Sequence, residues 1–139
     1  MRVLFITMTF VVTFLVNPAC AQDAASVGHP DAGAIVFKKC RACHQIGEDA
    51  RNGVGPVLNG VVGRPAGTYP EYNYSPAAKK SGLVWDEQTL TRYLRSPRAV
   101  VPGTRMTFAG LTKDRDIADI VAYLRQFGAD GKQAQLQKQ

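Results

Sequence analysis

Cys40-Arg41-Ala42-Cys43-His44 sets two thiols three positions apart with an imidazole directly after them. Thiols at this spacing can add to the two vinyl groups of one porphyrin, and the adjoining imidazole then falls beneath the iron as an axial ligand. The spacing therefore predicts one covalently attached haem c, bonded through Cys40 and Cys43, with His44 on the metal. A dithiol–disulfide site would use both cysteines and leave His44 without a part, and no strand–helix–strand pattern surrounds the motif. A zinc site needs four ligands. Cys40, Cys43, His44 and His29 are the soft candidates, and the adjacent pair Cys43 and His44 is hard to seat around one tetrahedral ion.

The third cysteine, Cys20, lies in an N-terminal segment of different character. Met1-Arg2 is a short basic start, Val3 to Val16 is apolar apart from threonines, and Ala19 and Ala21 flank Cys20. This reads as a secretory signal peptide over 1–21, cleaved after Ala21, and places the mature chain in the periplasm. A retained membrane anchor would need roughly 20 apolar residues, and the run has about 14. A lipid on Cys20 is the other alternative, in the poor context Asn17-Pro18-Ala19.

Cleavage leaves Met106 as the one mature methionine, with His29 and His44 as the two histidines. Loss of Arg2 takes 17 basic residues to 16 against 11 acidic ones, a surplus of five. That surplus favours acidic partners and steers their encounter. The basic residues are scattered rather than clustered, which argues against nucleic acid as a partner.

These residues must be positioned by helices joined through glycine- and proline-rich loops. Residues 22–30 form a small, polar arm, 31–128 one domain, and 129–139 a polar tail expected to fray. A first helix fits Asp31 to about Arg41, capped by Asp31, with Ile35, Val36 and Phe37 as apolar cover. Gly47 to Gly67 is rich in glycine and is irregular. Ser75-Pro76 opens a short helix that Gly82 stops. Asp86 starts another, Glu87 to about Arg95, with Leu90, Tyr93 and Leu94 on one face and Pro97 at its end. The clearest helix runs from about Lys113 to Phe127, where Ile117, Ile120, Val121, Leu124 and Phe127 recur at helical spacing. No segment alternates as a strand would. The expected class is all-α, a single domain wrapped around one haem.

Most methionines are core fillers. Met106, however, lies in Val101-Pro102-Gly103-Thr104-Arg105-Met106-Thr107-Phe108-Ala109-Gly110, a loop bounded by proline and glycine, with polar neighbours. A thioether on a stiff loop suits iron ligation, and histidine with methionine is the ligand pair of electron carriers. His29, on the arm, is the rival for the second axial position.

From Gly33 to Phe127 the chain resembles the class I cytochromes c, of the mitochondrial type and its bacterial periplasmic counterparts. Beyond the haem motif and the Met106 loop, the resemblance rests on Val54-Gly55-Pro56-Val57-Leu58-Asn59-Gly60, Gly63-Arg64, Tyr74 and Gly82-Leu83-Val84-Trp85. It continues through Tyr93-Leu94, Pro97 and Ile120-Val121-Ala122-Tyr123-Leu124. It implies that the Pro56 carbonyl holds the outer nitrogen of His44. It also implies that Arg64, Tyr74 and Trp85 serve the haem propionates, that Tyr93 and Thr104 lie near Met106, and that Phe108 covers a haem face. Plain core packing is the alternative for Trp85, Tyr93 and Phe108.

Two departures stand out. Ala78 falls where mitochondrial members carry a polar residue facing the haem, and the stretch Gly33 to Lys39 is one residue shorter than theirs. Of the family's basic ring around the haem edge, Lys39, Arg98, Arg105 and Lys113 are the candidate members.

The resemblance implies a monomeric, non-enzymatic carrier moving one electron between larger redox complexes with acidic docking surfaces. The donor would be a quinol–cytochrome c oxidoreductase or a periplasmic dehydrogenase, and the acceptor a terminal oxidase or photosynthetic reaction centre. An open-iron enzyme or gas sensor, and a dedicated subunit of one larger complex, are the alternatives.

Overall fold

A computed structural model describes residues 27–134. The expected signal peptide, residues 22–26 of the arm and residues 135–139 of the tail lie outside the described residues. Five helices follow in order among the described residues: α1 Pro30–Phe37, α2 Pro76–Lys80, α3 Glu87–Arg95, α4 Pro97–Val100 and α5 Asp114–Arg125. Among the described residues only two isolated bridges occur, Pro65 with Val84 and Phe127 with Gln133.

The helix starts follow from local chemistry. Pro30, Pro76 and Pro97 each sit in the first turn of a helix, where the missing amide proton costs nothing. Ser75 accepts a bond from the Ala78 amide at 3.1 Å, and Asp86 accepts one from Thr89 at 2.7 Å. Both are N-caps that satisfy an otherwise orphaned donor. Pro97 thus ends α3 and also opens α4.

Three expectations about α1 are corrected. The helix starts at Pro30, so Asp31 lies inside the first turn, where its charge meets the helix dipole, and His29 occupies the cap position. The helix ends at Phe37 rather than near Arg41. From Lys38 to Cys40 each amide bonds three residues back, and His44 then bonds to the Cys40 carbonyl at 2.9 Å. The tightened coil displays the haem motif on turns. Ile35, expected as apolar cover, points outward and is 65% exposed.

α1 and α5 pack against each other at unusually short range. A Cβ on Gly33 would collide with the Asp119 carbonyl and lie 2.6 Å from the Tyr123 Cβ. Gly28 meets the Ala118 carbonyl in the same way. The joined helices bury Val36, Phe37, Ile117, Ile120, Val121 and Leu124, and α3 adds Leu90 and Leu94 to the same cluster. Phe37, Tyr123 and Phe127 stack in sequence, with centroids 5.3 and 5.2 Å apart. Asp119, buried on α5, accepts the His29 amide at 2.7 Å and so pins the start of α1.

The residues after Phe127 do not fray through 134. Gly128 bonds to the Lys132 carbonyl at 3.0 Å, and Ala134 returns to the Gln126 carbonyl at 2.7 Å. Gly131, buried at φ 79°, lies so close to Gly47 and Asn59 that a Cβ would be 2.6 Å from the Asn59 amide nitrogen. The tail therefore rests on the loop that follows the haem motif.

Gly33→Ala is expected to lower unfolding free energy by about 3 kcal/mol, the upper end of the usual overpacking range, because two helix backbones must separate. Denaturant unfolding of the haem-loaded protein checks this.

Candidate haem site

His44 is held by a loop that touches it on two sides. Its Nδ1 lies 2.7 Å from the Pro56 carbonyl oxygen. A carbonyl can only accept, so the neutral ring carries its proton on Nδ1 and leaves the Nε2 lone pair free for a metal. Burial pushes the imidazole pKa down, and the Pro56 contact acts in the opposite direction. Burial is the larger effect, so the ring is neutral at neutral pH. Gly55 explains the close approach. A Cβ there would stand 2.7 Å from Nδ1 and 2.8 Å from Nε2, well inside van der Waals contact with the ring. The Gly55 amide also bonds to the Cys43 carbonyl at 2.8 Å, tying the loop to the motif.

Cys40 and Cys43 are half-buried and free. Burial raises the Cys40 pKa, Lys39 lowers it, and Cys43 raises it further.

Met106 stands apart from the packed apolar cluster. Its Sδ accepts a bond from the Tyr93 hydroxyl at 3.3 Å, and its amide bonds to Thr104 Oγ1 at 3.2 Å. The Tyr93 and Thr104 hydroxyls lie 3.4 Å apart. Burial raises the Tyr93 pKa, with the Thr104 contact opposing it, so the phenol keeps its proton for the sulfur. Tyr93 also stacks on Trp85 at 4.7 Å. Phe108 and Trp85 pack against the core cluster. His29, the rival ligand, is exposed at the start of α1, with its amide held by Asp119.

Arg64 donates to the Asn59 carbonyl at 2.7 Å and the Val57 carbonyl at 3.3 Å, and its guanidinium lies 4.7 Å over the Tyr69 ring. Burial pushes its pKa down while Tyr74 and Tyr69 act the other way. Its Nε is a buried nitrogen with no hydrogen-bond partner. Buried donors of this kind are rare and call for an acceptor. A propionate carboxylate is such an acceptor, so the site's chemistry fits a haem. Trp85 joins Arg64 through the backbone, with its amide 2.9 Å from the Arg64 carbonyl. The Tyr74 hydroxyl accepts the Tyr69 amide at 3.3 Å.

The family model described as cytochrome c matches residues 30–128. This chain belongs to the cytochrome c family. Cytochrome c2 of Blastochloris viridis is 49% identical over 122 residues, covering 88% of this chain and 91% of that protein. Among solved structures, cytochrome c2 from Rhodospirillum centenum superposes with a TM-score of 0.69 at 40% identity, covering 73% of this chain and 99% of that one. Cytochrome cH from Methylobacterium extorquens gives 0.67 at 45% identity, covering 70% and 98%. Membership carries the cofactor: this cytochrome c binds one haem c covalently, and Cys40 and Cys43 are placed for the two bonds. The helical class I fold expected from sequence is the fold observed.

The structure thus brings His44 to Pro56, Met106 to Tyr93 and Thr104, and Trp85 to both Arg64 and Tyr93. Ala78 lies in the first turn of α2, its amide bonded to Ser75. Of the basic candidates, Lys39 pairs with Asp116 at 3.3 Å and Arg105 donates to the Asn73 carbonyl at 3.2 Å, while Arg98 and Lys113 are exposed. Sequence reasoning missed Asn52, Asn59 and Tyr72. Asn52 bonds Val57 and Pro70, Asn59 bonds both polar groups of Gly47, and Tyr72 donates to the Val54 carbonyl at 2.6 Å. Asparagine in a glycine-rich loop reads as turn chemistry, and no periodicity flags it.

Gly55→Ala is expected to drive the His44 ring away from Pro56. The purified haem protein should then lose its low-spin spectrum or accumulate poorly, as visible absorption per haem would show.

Proposed function

We propose that this cytochrome c is a periplasmic one-electron carrier in which His44 and Met106 are the two axial ligands. One observation carries the ligand pair: each candidate atom's side chain already has a hydrogen bond from this chain that leaves a lone pair available. His44 gives its single proton to Pro56, and Met106 sulfur takes one bond from Tyr93. When bound, haem supplies reversible ferric–ferrous exchange, with a potential raised by methionine ligation.

The protein's own residues do the rest. Pro56 orients the imidazole and raises its basicity. Tyr93 and Thr104 hold the thioether in place in a loop without regular structure. Arg64, with Tyr74 and Trp85 beside it, offers buried donor capacity to a propionate that would otherwise be costly to desolvate. Phe108 and Trp85, half-buried against the core cluster, would cover apolar surface of the haem. With both side chains on the iron, no coordination position would be left for a substrate, which fits a carrier rather than an enzyme.

The chain acts as an electron shuttle between redox complexes, as its family does. The basic surplus supports partners with acidic docking faces. A quinol–cytochrome c oxidoreductase or periplasmic dehydrogenase as donor, and a terminal oxidase or reaction centre as acceptor, fit that chemistry. No helix among the described residues is long and apolar enough to cross a membrane. The leader-like segment before Gln22 supports export.

Visible spectra with and without carbon monoxide test the ligand pair. A low-spin ferrous protein unmoved by carbon monoxide, with the weak sulfur-to-iron band in the ferric form, is expected. Met106→Ala should lower the potential and admit carbon monoxide at once, and an unchanged potential would remove Met106 from the iron. Electron transfer to an acidic partner should slow several-fold between about 10 and 150 mM ionic strength, as the Debye length falls from roughly 30 to 8 Å. Stopped-flow mixing measures it.

A further inference from the structure

The Pro56 carbonyl that receives the His44 proton shares one peptide plane with the Val57 amide. That amide donates to Asn52 Oδ1 at 3.0 Å, and Asn52 Nδ2 donates to the Pro70 carbonyl at 2.9 Å. The orientation of the Asn52 carboxamide is unambiguous. An amide N–H can only donate and a proline carbonyl can only accept, so oxygen must face Val57 and nitrogen must face Pro70. The result is a continuous chain of donors and acceptors: His44 ring, Pro56–Val57 peptide, Asn52 carboxamide, Pro70 carbonyl.

Hydrogen bonds in such a chain polarise one another. A peptide whose N–H is donated carries more negative charge on its oxygen, by roughly 10–30% in bond strength per link. We propose that Asn52 is a positioning residue that strengthens the Pro56 carbonyl as acceptor, and so sets how strongly His44 donates to the metal. The proposal rests on His44 being an axial ligand. Greater polarisation of the Nδ1–H bond gives the imidazole more imidazolate character, which stabilises the ferric state and lowers the potential.

Asn52 also tethers the loop, so its electronic effect must be separated from its mechanical one. Tyr72 provides the control. Its hydroxyl bonds to the Val54 carbonyl, and so it joins the same two loops, 52–57 and 69–74, without touching the Pro56–Val57 peptide.

The experiment uses haem-loaded wild type, Asn52→Ala, Asn52→Asp and Tyr72→Phe. The readouts are the visible spectrum, the His44 Nδ1–H proton resonance in the ferrous form, and the midpoint potential. Asn52→Ala should move the resonance upfield and raise the potential. Asn52→Asp loses the bond to Pro70 but keeps the acceptor for the Val57 amide and adds charge to it, so the resonance should move downfield; its charge lowers the potential by itself, so the resonance decides that variant. Tyr72→Phe should leave both at wild-type values. An unmoved resonance in Asn52→Ala, or an equal shift in Tyr72→Phe, overturns the proposal while a low-spin wild type upholds the ligand pair. A high-spin wild type overturns the ligand pair and this proposal together. Should Asn52→Ala fail to accumulate, the sign of the Asn52→Asp shift decides.

Discussion

A neutral imidazole has one proton to give and one lone pair to offer, and the structure assigns the proton to Pro56. That assignment requires a loop to lie against the ring with no side chain between them, which only glycine at position 55 permits. The loop in turn needs its own polar groups satisfied in a half-buried setting. Gly55 bonds back to Cys43, Val57 to Asn52 and Leu58 to Gln45. Asn59 then uses both ends of its carboxamide on Gly47, acting as a short stand-in for a neighbouring strand. Each contact makes sense as support for one ring orientation.

The Met106 loop poses a different problem. Met106 lies in a stretch without regular structure between α4 and α5, and the ligand role proposed for it requires that stretch to be held. Its anchors are local. Thr104 bonds to Val101, Leu111 bonds to Leu94, and Gly110 at φ 110° presses against the Arg95 carbonyl. Tyr93, fixed on α3 and stacked on Trp85, reaches across to the sulfur. The loop is thus pinned at both ends and bonded in the middle.

Behind both sits the α1–α5 contact. Its strength comes from close backbone approach and buried aliphatic surface rather than from charge. Lys39–Asp116, Arg95–Asp114 and Arg125–Glu87 all converge on α5, but they are largely exposed, and exposed pairs contribute between about 0 and 1 kcal/mol each. Asp119 differs because it is buried and serves a backbone amide as well as Arg115. It converts the end of the arm into the first residue of a packed domain.

Much was legible in the sequence because much depends on short spacing. The haem motif, the Ser75 and Asp86 caps, the α5 stripe and the Pro56 and Tyr93 contacts were readable from residue types or from resemblance. The rest depends on what meets what. Ile35 belongs by type to an apolar face, but helix rotation against α5 leaves it in water. Residues 129–134 look like polar tail, but Gly131 can nest against Gly47 because neither carries a side chain. Asn52 and Asn59 look like turn residues and act as bridges between loops distant in sequence. The sequence by itself determined which atoms could bond a haem and where helices begin, because those are properties of a few neighbouring residues. Only the tertiary structure decided how the imidazole is oriented and which loops support it, because that requires polar groups far apart in the chain to satisfy one another in three dimensions.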